Sequence, residues 1–206
     1  MIMRFKKPSI WWKLKIAILV IILCGLSLTA TSNIKRVLNV DTWWHSVILD
    51  PGHGGTDPGV ISSNGIKEKD VVLAISNRIK EKLEVCGIKV YLTRSNDEFA
   101  SLEKRTNFYK EAKADLFVSL HLNGSSNTSA EGITVFVAPY SEESTRNFAV
   151  SLGSEIRHKT NLKWNDYRRA PMAVFNNNPV PAIMLELGYL SNDKDLEKLI
   201  INQSNK

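Results

Sequence analysis

The sequence predicts an α/β fold: a single domain on a mostly parallel, twisted sheet with helices on both faces, preceded by one N-terminal transmembrane or signal helix. Three observations lead there. Short apolar runs alternate with longer segments whose apolar residues recur at helical spacing, the pattern of successive strand and helix units. The one long uncharged stretch lies at the N-terminus. The 206 residues, less that leader, suffice for one buried core and show neither an internal repeat nor a second module.

The leader accounts for the basic charge. The formal net charge is +6, from 27 basic and 21 acidic residues. Residues 1–40 hold seven of those basic side chains (Arg4, Lys6, Lys7, Lys13, Lys15, Lys35, Arg36) and no acid, so the remainder carries 20 bases against all 21 acids. A nucleic-acid-binding domain would cluster bases on its own surface, so no nucleic-acid partner is expected. From Ile16 to Ile34 run 19 residues without a charge, preceded by Trp11 and Trp12. That length just spans a bilayer, and indoles favour its interface. Five bases precede the run, which orients the N-terminus to the cytoplasm and the domain to the outside. A cleaved signal peptide competes with an anchor, since Thr29, Ala30, Thr31 and Ser32 are small; a cut after Ala30 leaves the bulky Leu28 three residues upstream, which favours the anchor. Residues 1–40 are thus read as anchor or signal with a short linker, and 41–206 as the folded domain. Cys24 lies in the leader and Cys86 is alone in the domain, excluding an internal disulfide and a cysteine metal site.

Along the domain, Ser46–Asp50 reads as a strand ending in the loop PGHGGTDPG. Residues 68–86 carry Val72, Ile75, Ile79 and Leu83 at helical spacing, with Gly87 as the stop. Ile88–Thr93 alternates like a strand and Ser101–Lys113 reads as a helix. Strands follow at Asp115–Leu120 and Ile133–Ala138, a helix at 142–159, a buried strand at Pro181–Leu187, and the start of a helix at Asp193–Ile200. Beyond it lies the polar tail Asn202-Gln203-Ser204-Asn205-Lys206.

Four groups able to handle metals or protons fall at one end of these strands. His53 follows the first strand, His121 the third, Glu186 closes the last, and Glu68 opens the first helix. Ligands of open α/β sheets bind outside the carboxyl ends of the strands. Two imidazoles and one carboxylate leave a fourth position for water, the pattern of catalytic zinc, and a second carboxylate beside it can move protons. Plainer readings stand beside this one. His53 fits an exposed turn, His121 a satisfied rim histidine, and Glu68 a solvated first-turn acid favoured by the helix dipole. Glu186, between Leu185 and Leu187, must be paired or protonated if buried. Gly52, Gly54, Gly55 and Gly59 raise the idea of a phosphate cradle, but neither a P-loop ending nor a dinucleotide spacing is present; they are read instead as turns that aim His53 at a metal. His45 and His158 are read as surface residues.

Four motifs occur in order: Leu49-Asp50-Pro51-Gly52-His53-Gly54-Gly55, Gly65-Ile66-Lys67-Glu68-Lys69-Asp70, Ser119-Leu120-His121-Leu122-Asn123 and Glu186-Leu187-Gly188-Tyr189-Leu190-Ser191-Asn192. From about Val47 to Leu199 the chain closely resembles the zinc-dependent N-acetylmuramoyl-L-alanine amidases of bacterial cell walls, with Thr93-Arg94 and Ser101-Leu102…Arg105 as weaker features. The resemblance also implies a departure: members usually continue through a longer final helix, so Asp193–Ile200 is expected to form only a stub that leaves part of the sheet less well covered. The resemblance implies Zn2+ on His53, Glu68 and His121, catalysis by Glu186, and peptidoglycan as the partner cleaved between N-acetylmuramic acid and L-alanine. It implies an extracytoplasmic site, tethered to the membrane through the N-terminal segment or secreted to the wall. The small anchored architecture is most similar to the germination-specific subtype acting in spore cortex, with an activating protein partner left open. The alternative expectation is a non-catalytic or partner-dependent peptidoglycan-associated protein on the same fold; a third is a zinc hydrolase of another amide.

Overall fold

The computed structural model describes residues 45–204 apart from residue 177. The leader, with its anchor and signal alternatives, lies outside the described residues. Among the described residues no helix is long and apolar enough to cross a membrane. In chain order the elements are β1 (Ser46–Pro51), α1 (Glu68–Val85), β2 (Lys89–Leu92), α2 (Leu102–Ala112), β3 (Leu116–Asn123), β4 (Ile133–Val137), α3 (Glu143–Thr160), β5 (Trp164–Arg169), a 3-10 turn (Ala173–Phe175), β6 (Ala182–Tyr189) and α4 (Asp193–Ser204).

The strands form one sheet in the order β2-β1-β3-β6-β4-β5. All neighbours are parallel except β4 and β6, which run antiparallel. The sheet is therefore mostly parallel, as the alternation of strands and helices requires. Alternate residues of each strand serve two cores. Val47, Leu49, Val118, Leu120, Ile183 and Leu185 pack with α1, α3 and α4. Ile48, Phe117 and Met184 turn to the other face, against Tyr109 of α2 and the 3-10 turn. Helices thus lie on both faces, with the larger share on one.

This topology fixes where a site can form. From β1 the chain crosses through α1 to β2 on one side, and then through α2 over the opposite face to β3 on the other side of β1. The crevice between the carboxyl ends of β1 and β3 is a topological switch point, where open α/β sheets bind ligands. His53 follows one of these strands and His121 lies on the other.

The helix ends follow local chemistry. Gly87 adopts a φ of 83°, its N–H bonds to Glu84 O and that of Ile88 to Leu83 O, the paired bonds of a Schellman stop. Ser101 caps α2 by accepting from Lys104 N at 3.1 Å. Asn192 caps α4, its Oδ1 accepting from Lys194 N and Asp195 N.

Two expectations need correction, and one strand went unread. Helix α4 is longer than a stub, 12 residues, and Leu196 and Leu199 are buried in the larger core. His121 lies inside β3 rather than just beyond it, because the strand extends to Asn123, whereas Glu186 lies within β6 near its carboxyl end, as expected. Strand β5 carries no alternating signal, since Asp166 takes a left-handed φ of 78° and the register shifts there, so the inward residues Trp164 and Tyr167 stand three apart.

Candidate metal centre

Near the end of β1 stands Asp50, which is 1% exposed. Its carboxylate accepts from Thr93 Oγ at 2.5 Å and Ser119 Oγ at 2.7 Å, and pairs with the Arg105 guanidinium. Arg94 and Arg105, both buried, then take hold of the next three carbonyls. Arg94 donates to Pro51 O at 3.0 Å and Gly52 O at 2.8 Å, and Arg105 donates to Pro51 O at 2.8 Å and His53 O at 2.7 Å. A buried guanidinium is tolerated only when its donors are used, and here they are spent on the loop backbone. The result is a rigid turn in which His53 adopts φ 58°, unfavourable for a residue with a side chain.

Around that turn three side chains converge. His53 Nε2 lies 3.1 Å and His121 Nδ1 3.0 Å from the same oxygen, Glu68 Oε1. One ligand atom from each of the three residues lies within 4.8 Å of the others, a spacing that one cation could bridge. Glu68 is 1% exposed, although it opens α1 amid Lys67, Lys69 and Asp70. Its second oxygen accepts from Val60 N and its first also from Leu122 N, both at 2.9 Å. Burial pushes its pKa up, but bonds to His121 and His53, the His121 charge and the Leu122 N–H outweigh it and hold the carboxyl at about 2. Burial likewise pulls His53 down, yet Glu68 and Asp57 leave it raised. The bland reading of Glu68 as a solvated first-turn acid therefore fails.

Glu186 stands directly opposite His121 in the β3–β6 register and opposite Thr134 in the β4–β6 register. Its Oε2 is buried without a hydrogen-bond partner. Burial raises its pKa to about 7; the His121 charge opposes this and the Glu68 charge adds to it. A carboxyl poised near neutrality beside a cluster of two imidazoles and an acid is suited to accept and return a proton.

All four sequence-predicted residues thus come together at the sheet edge, whereas His45 and His158 are exposed and apart from it. The glycines act in two ways. Gly54, Gly55 and Gly59 have positive φ, as the turn reading expects. Gly52 does not; it is needed for space, because a Cβ there would sit 2.3 Å from His121 Cε1. Two further contributors escaped the sequence reading. Asp57, in the Asp-Pro-Gly stretch after the histidine, places Oδ2 2.8 Å from His53 Nδ1. Lys69 is buried and donates to Gly55 O and Asp97 at 2.8 and 2.7 Å, pinning the outer side of the loop. Charged residues inside a charged tetrapeptide give no sequence sign of burial.

Comparison with known proteins identifies the family. Residues 47–206 match the family model described as N-acetylmuramoyl-L-alanine amidase. The chain is 32% identical to YqiI of Bacillus subtilis strain 168, over 86% of this chain and 84% of that protein. It is 36% identical to the probable cell wall amidase LytH of Staphylococcus epidermidis strain ATCC 12228, over 77% of this chain and 52% of that one, so it spans about half the length of LytH. The solved structure of the CwlD amidase from Clostridioides difficile in complex with the GerS lipoprotein superposes with a TM-score of 0.72 at 26% identity, covering 77% of this chain and 89% of that one. With a fold, an ordered set of motifs and a family match that extends over three quarters of its length, this chain belongs to the N-acetylmuramoyl-L-alanine amidase family of bacterial cell-wall hydrolases.

Proposed function

We propose that this chain hydrolyses the amide bond between N-acetylmuramic acid and the L-alanine of the peptidoglycan stem, with zinc on His53, Glu68 and His121 and with Glu186 as the proton carrier. The observation that carries the reading is Glu186, a buried carboxyl with an unpartnered oxygen in register with His121. The residues fit zinc on their own chemistry. Two imidazoles and a buried carboxylate are a catalytic donor set, and Glu68 has two ring nitrogens within 3.1 Å of one oxygen. When bound, zinc supplies Lewis-acid activation of water and of the amide carbonyl. Glu186 takes the proton from the attacking water and hands it to the alanine nitrogen, which leaves as a neutral amine. Asp50, Arg94 and Arg105 keep His53 fixed while this happens.

The setting of the reaction is part of the same reading. Residues 1–40 serve as an anchor or signal that carries residues 41–206 outside the cytoplasm. The amino end of β1 lies opposite the carboxyl strand ends that bear the candidate site, so a tether joined there leaves the site facing away from its attachment. The likeness to CwlD, solved with a lipoprotein bound, supports room for a protein partner.

The test is to incubate the full chain, in detergent and with zinc, with cortex and with vegetative peptidoglycan. Free α-amino groups on L-alanine are the expected product, and the better substrate identifies the wall it serves. No release from either wall, even with a lipoprotein partner supplied, would sink the enzyme reading in favour of a non-catalytic wall protein; release of a different amine would point to another amide. His121→Ala is expected to lose the zinc that the parent retains through dialysis, measured by metal analysis. Zinc content equal to the parent's would remove His121 from the ligand set.

A further inference from the structure

The loop between β1 and α1 contains a hydrogen-bond circuit that links both of its site residues. Asp57 and Gly54 bond reciprocally through their backbones, at 2.9 and 3.1 Å, which closes a tight turn immediately after His53. The Asp57 carboxylate then divides its oxygens. Oδ2 lies 2.8 Å from His53 Nδ1, and Oδ1 accepts from Gly59 N at 3.1 Å. The next residue, Val60, donates its N–H to Glu68 Oε2 at 2.9 Å. Gly59 is pressed between the two partners, since a Cβ there would meet Glu68 Oε2 at 2.5 Å and His53 Cδ2 at 2.6 Å. Asp57 therefore meets the imidazole ring at Nδ1 while Glu68 stands at Nε2, which is directed at the cluster.

We propose that Asp57 is a positioning residue that holds the Nδ1–H tautomer of His53, leaving Nε2 as the nitrogen free to bind the metal. This rests on the zinc reading given above. A histidine ligand whose second nitrogen donates to a carboxylate is fixed in rotation and made more basic, and loss of such a partner typically costs about 10- to 100-fold in metal affinity. Asp57 is about half exposed at its side chain, so its replacement leaves no buried charge behind.

The experiment measures zinc affinity by competition with a chromophoric chelator, and the d–d spectrum of the cobalt-substituted protein, in four full-length chains: parent, Asp57→Ala, Asp57→Asn and Asp97→Ala. Asp97 pins the same loop through Gly55 N and Lys69 but does not touch His53, so Asp97→Ala reports on loop fastening alone. The expected result is a loss of about 10- to 100-fold for Asp57→Ala with an altered cobalt spectrum. Asp57→Asn, whose amide oxygen can still accept from Nδ1–H, should recover most of the affinity, and Asp97→Ala should stay near the parent. Equal losses in Asp57→Ala and Asp97→Ala, or an Asp57→Ala affinity within twofold of the parent, would overturn the inference while leaving the zinc site standing. A parent that binds no zinc would overturn both.

Discussion

Glu186→Gln is expected to keep its zinc and to lose about 10²- to 10⁴-fold in kcat, the usual worth of a positioned general acid–base group. The substitution preserves volume in β6, where Leu185 and Leu187 on either side are buried and both neighbouring strands are paired, so the strand has no reason to shift. What is removed is the ability to accept a proton. Turnover measured as L-alanine amino groups released, alongside metal analysis of the same preparation, separates the two effects. A variant that turns over at the parental rate would remove Glu186 from its role. One that loses zinc as well would make it a fourth contributor to the metal site.

The same variant carries a second, independent signature in stability. In the folded chain the Glu186 carboxyl is raised from 4.5 to about 7, chiefly by burial. The folded state therefore holds this proton over a range where the unfolded chain has released it. Stability from this group is fully present below about pH 4.5 and is lost as the pH climbs through about 7, reaching a penalty on the order of 3 kcal/mol. Zinc-free Glu186→Gln should escape that loss, so the parent and the variant diverge in denaturant midpoint between about pH 4.5 and 7, the variant being the more stable at the upper end. Glu68 works in the opposite sense, since its carboxyl is held at about 2 and its contribution disappears only as the pH falls below the ordinary carboxylate range. Both proteins share that acid-side loss, so the difference between them isolates Glu186. Parallel curves across this range would show that the Glu186 environment is less apolar than its burial implies.

How much of this was written in the sequence depends on the type of constraint. The succession and direction of the strands were legible because apolar runs are broken by polar residues near their carboxyl ends, and those residues fell at one end of the sheet once the strands were parallel, even though β3 and β6 run on to Asn123 and Tyr189. That is why His53, His121 and Glu186 could be singled out without coordinates. Glu68 was legible only by its position at a helix start and by the family motif, because its charged neighbours disguise its burial. Asp57 was not legible: an aspartate before proline in a glycine-rich loop is an ordinary turn residue, and only the folded loop brings its carboxylate to Nδ1. Arg94 and Arg105 likewise showed as motif letters, whereas their work is to bind three consecutive carbonyls. Strand β5 was hidden because its inward residues break period two at Asp166. The final helix was underestimated because polar side chains at its end say nothing about whether Leu196 and Leu199 find the core.

Gly52→Ala is expected to abolish zinc binding while leaving the domain folded, and the contrast with Gly87→Ala shows why. Gly87 has a φ of 83° with open space around its missing side chain, so alanine there meets a backbone penalty of about 1–2 kcal/mol and nothing else. That variant should melt at a lower temperature and bind zinc as the parent does. Gly52 presents the reverse case. Its φ lies outside the left-handed region, so alanine adds no backbone strain, but the new methyl would lie 2.3 Å from His121 Cε1 and 2.6 Å from each ring nitrogen. No carbon can stand that close, and the turn cannot yield, because Gly52 N bonds to Leu120 O at 3.0 Å and Arg94 holds Gly52 O. The imidazole is the part that can move, and any rotation that clears the methyl carries Nδ1 away from Glu68. The loss of zinc affinity should exceed the roughly 100-fold upper end seen when an outer-shell partner is removed, since here a ligand itself is displaced. Thermal melts and chelator competition on both variants form the test. A Gly52→Ala chain that binds zinc normally would mean that His121 reaches the metal from a different ring position than the one His121 and Glu68 now share.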